Sequence, residues 1–225
     1  MTDLYLVPGF SQTAGAWDDV RAALPTTARA RPLDVPAGAT FEATAARLAR
    51  EGRGVWSGYS MGGRLALSIA LDRPAAVEAL VLVSTNPGLE DARERATRRR
   101  SDEDLATLVE SDGRERFLEQ WVAQPIFDGL DPTEALRHRL SSPTELARQL
   151  RILGQGTHQP MWDRLGELTM PVAVMAGERD EKYTAIARRI VSAVGTNASL
   201  HIVPGAGHAL LQEAPATVAE ILSTL

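Results

Sequence analysis

A serine, a histidine and a carboxylate each stand on a turn that follows an apolar run in this chain, and together they could pass a proton between them. The serine lies in Gly58-Tyr59-Ser60-Met61-Gly62-Gly63, after the run Gly54-Val55-Trp56-Ser57 and before helical spacing from Arg64 to Leu71. A strand that enters a helix through so sharp a turn needs small residues on either side, and it lifts the central hydroxyl to the positive end of the helix. A serine hydroxyl is a poor nucleophile or base until a histidine takes its proton, and the histidine needs an acid to fix its tautomer. His208, in Pro204-Gly205-Ala206-Gly207-His208 after the last apolar run, is the candidate base. His201 falls inside that run and is expected to pack, while His138 and His158 fall elsewhere, in a segment of different character. Two acids follow the run ending at Ala176, in Gly177-Glu178-Arg179-Asp180. Asp180 is favoured because it lies beyond the tight turn, with Glu178 as the alternative.

An oxyanion formed at such a serine needs two backbone N–H donors, one from the residue after it and one from the loop after an earlier strand. Met61 supplies the first. Pro8-Gly9-Phe10 follows the run Leu4-Tyr5-Leu6-Val7, so Phe10 is the candidate for the second.

The elements that must hold these residues can be read from period and punctuation. Leu4–Val7, Gly54–Ser57 and Ala79–Val83 read as strands buried on both faces, with a weaker one at Arg29–Leu33. Helical spacing covers Trp17–Leu24, Phe41–Ala49 and Arg64–Leu71, the last stopped by Asp72-Arg73-Pro74. Alternating strands and helices imply an α/β fold with a doubly wound, mostly parallel sheet. Residues 86–162 are charged, helical in period and broken by Pro125, Gly129, Pro132, Pro143, Gly154 and Gly156. They are expected to form a helical lid inserted between a first core part, 1–85, and a second, 163–225, all in one structural domain. The second part resumes with a strand at Pro171–Ala176, a helix at Thr184–Val194, a strand at Leu200–Val203 and a helix at Pro215–Leu225. The lid would lie over the C-terminal ends of the strands, where open parallel sheets bind ligands.

Composition narrows the partners. A net charge of −5 opposes a general nucleic-acid binder, although Arg93, Arg95, Arg98, Arg99 and Arg100 cluster locally. With no cysteine the chain can build neither a disulfide nor a thiolate metal site. It carries no basic leader before a long apolar run and no uncharged stretch long enough to span a bilayer. A soluble, cytoplasmic protein acting on small molecules, with no nucleic acid and no membrane insertion, is the expectation.

Pro8-Gly9-Phe10, the Gly58–Arg64 elbow, Gly177-Glu178-Arg179-Asp180 and Ala206-Gly207-His208 resemble the α/β-hydrolase superfamily. Through Asn86-Pro87-Gly88-Leu89, the arginine run to Asp102, Trp121–Phe127 and Gln159-Pro160-Met161-Trp162 the chain is similar to one family within it, the 2-succinyl-6-hydroxy-2,4-cyclohexadiene-1-carboxylate (SHCHC) synthases of menaquinone biosynthesis. The resemblance implies removal of pyruvate from an enolpyruvyl cyclohexene carboxylate, with Ser60 as base and with neither metal nor organic cofactor. It also implies an anionic polycarboxylate substrate held by Arg64, Arg98 and Arg139, with Tyr59 and Trp121 lining the pocket. The chain departs from the superfamily pattern in having Pro8-Gly9 for His-Gly and Asp34-Val35-Pro36-Ala37-Gly38-Ala39 without a histidine. The extra antiparallel strands common at the N-terminus are expected to be absent. Two other readings share the same motifs: a carboxylesterase working through an acyl-enzyme, which would favour an apolar lid, and a non-catalytic ligand-binding member of the fold.

Overall fold

The computed structural model describes residues 2–140 and 142–225; Met1 and Ser141, inside the segments 1–85 and 86–162, lie outside the described residues. Six strands form one sheet in the order β2-β1-β3-β4-β5-β6, and every pairing is parallel. They are β1 (Asp3–Val7), β2 (Arg29–Pro32), β3 (Gly54–Tyr59), β4 (Val77–Val83), β5 (Val172–Gly177) and β6 (Ala198–Val203). Successive side chains leave a strand on opposite faces, and the apolar runs are apolar at both. Tyr5, Val7, Trp56, Leu80, Leu82, Val172 and Val174 enter one core layer. Leu4, Leu6, Val55, Val81, Val83, Ala173 and Met175 enter the other.

Ten α-helices accompany the sheet among the described residues. α1 (Asp18–Ala23) packs on the second layer through Val20, and α2 (Phe41–Leu48) and α3 (Met61–Asp72) pack on the first, with Phe41, Ala45, Leu48 and Leu65 buried. Between β4 and β5 lie α4 (Ala92–Asp112), α5 (Arg114–Val122), α6 (Pro132–Leu136) and α7 (Pro143–Leu153). The apolar faces of α4, α5 and α7 meet in a third, smaller core of Ala106, Val109, Phe117, Leu118, Leu146, Ala147 and Leu150, against which Phe10 of the β1 loop also packs. α8 (Glu181–Val194), α9 (Leu210–Glu213) and α10 (Pro215–Ser223) complete the chain. No helix among the described residues is long and apolar enough to cross a membrane.

The sequence-based boundaries differ from these in ways that have local causes. α3 begins three residues earlier than Arg64 because Gly62 and Gly63, poor helix formers in isolation, are held in its first turn by close packing on the sheet. α8 begins at Glu181 because the Asp180 side chain caps it, accepting the Tyr183 N–H at 3.1 Å. The short α9 follows His208 directly and carries no period long enough to read.

Candidate active site

The loops at the C-terminal ends of β1, β3, β5 and β6 bring the sequence-predicted residues to one place. Ser60 joins β3 to α3 with φ 51° and ψ −107°, a left-handed conformation that a side chain rarely adopts. Two glycines permit the turn. A Cβ on Gly58 would collide with the Gly62 carbonyl, and one on Gly62 with the carbonyls of Val7 and Pro8.

His208 Nε2 lies 3.3 Å from Ser60 Oγ, and His208 Nδ1 lies 2.7 Å from Asp180 Oδ2. The carboxylate accepts only, so Nδ1 carries the proton and Nε2 presents its lone pair to the hydroxyl. Asp180 uses its other oxygen to cap α8 and is thereby fixed from two sides. Glu178, the alternative acid, points elsewhere: it is exposed and accepts the Gly205 N–H at 2.9 Å. His208 is buried, with Tyr183 edge-on at a ring separation of 4.4 Å. Its loop is pinned by Ser84, whose Oγ donates to the His208 carbonyl at 2.9 Å, and by Glu213, which accepts the N–H of Gly207 and of Ala209 and pairs with Arg179.

Phe10 and Met61 both line the same cavity, and the N–H of neither donates to a protein acceptor among the described residues. Residues 9–13 are laced to the segment above the sheet. Ser11 N–H donates to Gln149 Oε1 at 3.1 Å, Thr13 N–H to the His138 carbonyl at 2.8 Å and Leu140 N–H to the Ser11 carbonyl at 2.6 Å. His138 therefore serves through its backbone. His201 is not packed in the core as expected: β6 is the edge strand, where the ring is half-buried and meets Ser199 Oγ at 2.9 Å.

The cavity has a volume of about 250 Å³. All five residues assigned to substrate binding line it, namely Tyr59, Arg64, Arg98, Trp121 and Arg139, together with Ser60 and His208. Burial raises the Tyr59 phenol well above its ordinary value, so it stays protonated. Burial pulls the Arg64 and Arg139 guanidiniums down to about 10, still charged at neutral pH, with Arg98 adding to the effect on Arg64. Arg64 donates to the Leu153 carbonyl at 3.0 Å and lies 3.3 Å from His158 Nε2. Arg139 donates to the Ala135 carbonyl at 2.7 Å, to Ser11 Oγ at 2.7 Å and to the Phe10 carbonyl at 3.3 Å. Arg98 is partly exposed and donates to Asp102 Oδ1 at 2.8 Å, while burial raises the Asp102 carboxyl despite that partner. Arg95 and Arg99 of the same run are instead spent on carbonyls, of Leu89 and Glu90 and of Gly156. Tyr183, Ser84, Gln149 and His158 were not singled out for the site by sequence reasoning, because none of them lies in a motif. Among the described residues no group of three or more His, Asp or Glu is placed to hold a metal ion.

A serine at a sharp strand-to-helix turn, backed by a histidine and an acid on later loops of a parallel sheet, defines a class, and comparison with known proteins gives the same one. The alpha/beta hydrolase family profile matches residues 4–221, and the chain belongs to that family. Within it the chain is similar to 2-succinyl-6-hydroxy-2,4-cyclohexadiene-1-carboxylate synthases. The one from Enterobacter sp. (strain 638) is 30% identical over 241 residues, covering 99% of this chain and 90% of that one. That from Escherichia coli O1:K1 is 31% identical over 173 residues, 75% of this chain, and a Bacillus subtilis (strain 168) protein provisionally given the same name is 38% identical over 173 residues, 74% of this chain. The match spans 63% of the Bacillus protein's length and 66% of the Escherichia one's. Among solved structures, MenH from S. aureus shares the fold with a TM-score of 0.90 at 24% identity, over 98% of this chain and 91% of that one. A thermophilic esterase from Thermogutta terrifontis has a TM-score of 0.77 at 23% identity, over 100% and 89%.

Proposed function

We propose that this protein eliminates pyruvate from 2-succinyl-5-enolpyruvyl-6-hydroxy-3-cyclohexene-1-carboxylate to give 2-succinyl-6-hydroxy-2,4-cyclohexadiene-1-carboxylate, the product named in its relatives. The observation that carries this reading is the wall of the cavity above Ser60, which holds two buried, charged arginines and a third that is partly exposed. Buried guanidiniums that form no ion pair with a carboxylate among the described residues suit a substrate with several carboxylates, which they bind in bidentate fashion.

In this reading Ser60, His208 and Asp180 are the catalytic residues, and Ser60 acts as a general base. Its Oγ takes the proton α to the succinyl ketone as its own proton passes to His208 Nε2, and Asp180 holds the imidazolium so formed. The enolate oxygen is stabilised by the Phe10 and Met61 N–H groups. Its electron pair then re-forms the ketone and shifts the ring unsaturation as the C–O bond to the enolpyruvyl group breaks. The departing enolate takes up a proton and becomes pyruvate. Residues 86–162 serve as the lid over the core parts 1–85 and 163–225 of a single domain. A cytoplasmic site of action goes with this chemistry, because a soluble polyanion does not cross a bilayer unaided.

Apolar residues also line the cavity, among them Phe10, Leu105, Ile126, Phe127 and Leu153, and they favour a second reading, an esterase in which Ser60 is acylated. One experiment separates the two. Pyruvate release from freshly generated substrate is measured beside hydrolysis of p-nitrophenyl acetate, with Ser60→Ala as control. Fast Ser60-dependent pyruvate release with feeble ester cleavage is expected; efficient ester cleavage with pyruvate released only at the spontaneous rate would replace the lyase by the esterase.

A further inference from the structure

We propose that His158 is a positioning residue for substrate binding: through the lone pair of its Nε2 it aims the Arg64 guanidinium into the cavity without forming an ion pair with it. The inference rests on the carboxylate-binding reading of Arg64 given above.

The tautomer of His158 follows from its neighbours. Its Nδ1 lies 2.8 Å from the Gln159 carbonyl, which only accepts, so Nδ1 carries the hydrogen. Its Nε2 faces Arg64 Nη1, which only donates, so Nε2 carries a lone pair and the ring is neutral. The ring has little freedom to do otherwise. It is buried, stacks on Phe41 of α2 at 4.3 Å between centroids, and sits against the loop at Gly88, where an added Cβ would come within 3.0 Å of it. Arg64 belongs to α3 of the core, whereas His158 and Leu153 belong to the chain above it. The guanidinium is therefore held across the seam between the two.

What matters is the kind of partner. Two of the five N–H donors of Arg64 go to neutral acceptors, His158 Nε2 and the Leu153 carbonyl, and among the described residues no carboxylate forms an ion pair with it, the Asp102 charge reaching it only through space. Its neighbour Arg98 is treated differently, with Asp102 as a counter-ion. A buried cation satisfied only by neutral groups keeps most of its desolvation cost in the free protein and recovers it when an anion arrives. His158 thus gives Arg64 a fixed direction at no expense of charge, which an aspartate or glutamate in the same place would not do.

The test uses the intact chain and four variants. His158→Phe keeps the stack on Phe41 and removes the acceptor. His158→Gln places a carbonyl oxygen near the position of Nε2, His158→Asn falls short of it, and Arg64→Met removes the charge. Succinate binding is followed by calorimetry, and pyruvate release by steady-state kinetics. The expected result is succinate affinity weakened about ten-fold in His158→Phe and His158→Asn, largely restored in His158→Gln, and abolished in Arg64→Met. KM for the pyruvate-releasing reaction should rise in step, with kcat within about two-fold of the parent. Should the wild-type chain bind succinate but release no pyruvate, the proposed function falls while the succinate series still decides the role of His158. Unchanged affinity in His158→Phe, no rescue by glutamine, or wild-type succinate binding indifferent to Arg64→Met would each overturn the proposal.

Discussion

Glu213 brackets His208: one carboxylate oxygen accepts the Gly207 N–H at 2.8 Å and the other accepts the Ala209 N–H at 3.1 Å, on either side of the imidazole-bearing residue. The same carboxylate pairs with Arg179, which also donates to the Gly205 carbonyl at 2.9 Å. Both oxygens are thus required as acceptors. Glutamine cannot supply two, and its amide would turn a donor toward one of the two N–H groups. Glu213→Gln is expected to lower kcat roughly ten-fold with KM little changed, since a base displaced by a fraction of an ångström loses its alignment. The rate at which a fluorophosphonate labels Ser60 should fall in parallel, and equal labelling of variant and parent would show that the bracket does not set the histidine.

Ser60 stores strain at the turn from β3 into α3. Its φ of 51° with ψ −107° is tolerated because β3, α3 and the close passage of Gly58 and Gly62 fix the backbone around it. Ser60→Ala is expected to abolish turnover and leave the melting temperature nearly unchanged, because alanine keeps the strain and loses only the hydroxyl. Ser60→Gly should also be inactive yet more stable than Ser60→Ala by about 1 kcal/mol, the relieved strain exceeding the added freedom of the unfolded chain. Thermal denaturation of the pair measures this difference directly, and a glycine variant less stable than the alanine one would deny the strain.

The contrast between these two residues shows what a sequence of this kind makes legible. Ser60 could be located because a serine, flanking glycines and the change from strand to helix period all coincide within a dozen positions. The central strands β1, β3, β4 and β5 are readable because both faces are apolar, and the fold class follows from the alternation of strands with helices. Phe10, Asp180 and His208 were placed by the loop each must occupy. Glu213, Ser84, Tyr183 and His158 act through contacts that join distant parts of the chain, such as Ser84 Oγ to the His208 carbonyl across 124 residues, and no local pattern announces them. The choice between Glu178 and Asp180 had the same origin: both follow β5 by a few residues, and only the path of the β6 loop gives Glu178 to Gly205 and Asp180 to His208.

Acid should weaken the fold through His158. Burial and then the Arg64 charge lower its folded-state value to about 4, against 6.5 for the unperturbed group. Between those values the unfolded chain binds one more proton than the folded one at this site, so unfolding free energy falls as pH falls from about 6.5 toward 4. The full difference corresponds to about 3 kcal/mol, present above the unfolded value and lost below the folded one. Chemical denaturation of the parent and of His158→Phe at pH 7.5 and pH 4.5 tests it: the parent should lose more stability over that interval, and parallel losses would mean that His158 titrates normally.

Arg139 links α6 to the loop after β1 that carries the Phe10 N–H, and its replacement should therefore touch both binding and rate. Its Nη1 donates to Ser11 Oγ and to the Phe10 carbonyl, its Nε to the Ala135 carbonyl, and Gln12 pairs with it in an isolated antiparallel bridge. Ser11, like Ser60, sits at positive φ, 64°, so the loop that carries the Phe10 N–H is held in a conformation it would leave if released. A residue that served only as a charge for a substrate carboxylate would, when changed to methionine, raise KM and spare kcat. Arg139→Met is expected to do both, lowering kcat/KM by about 100-fold, or about 3 kcal/mol, with kcat carrying a clear share because the Phe10 donor no longer meets the enolate. Arg139→Lys separates the two contributions. Lysine restores the positive charge but not the forked donors to Ser11, Phe10 and Ala135, so KM should recover in part while kcat stays low. Recovery of both constants in the lysine variant would reduce Arg139 to a point charge and leave the loop after β1 to be held by Gln149, through Ser11 N–H, and by His138, through Thr13.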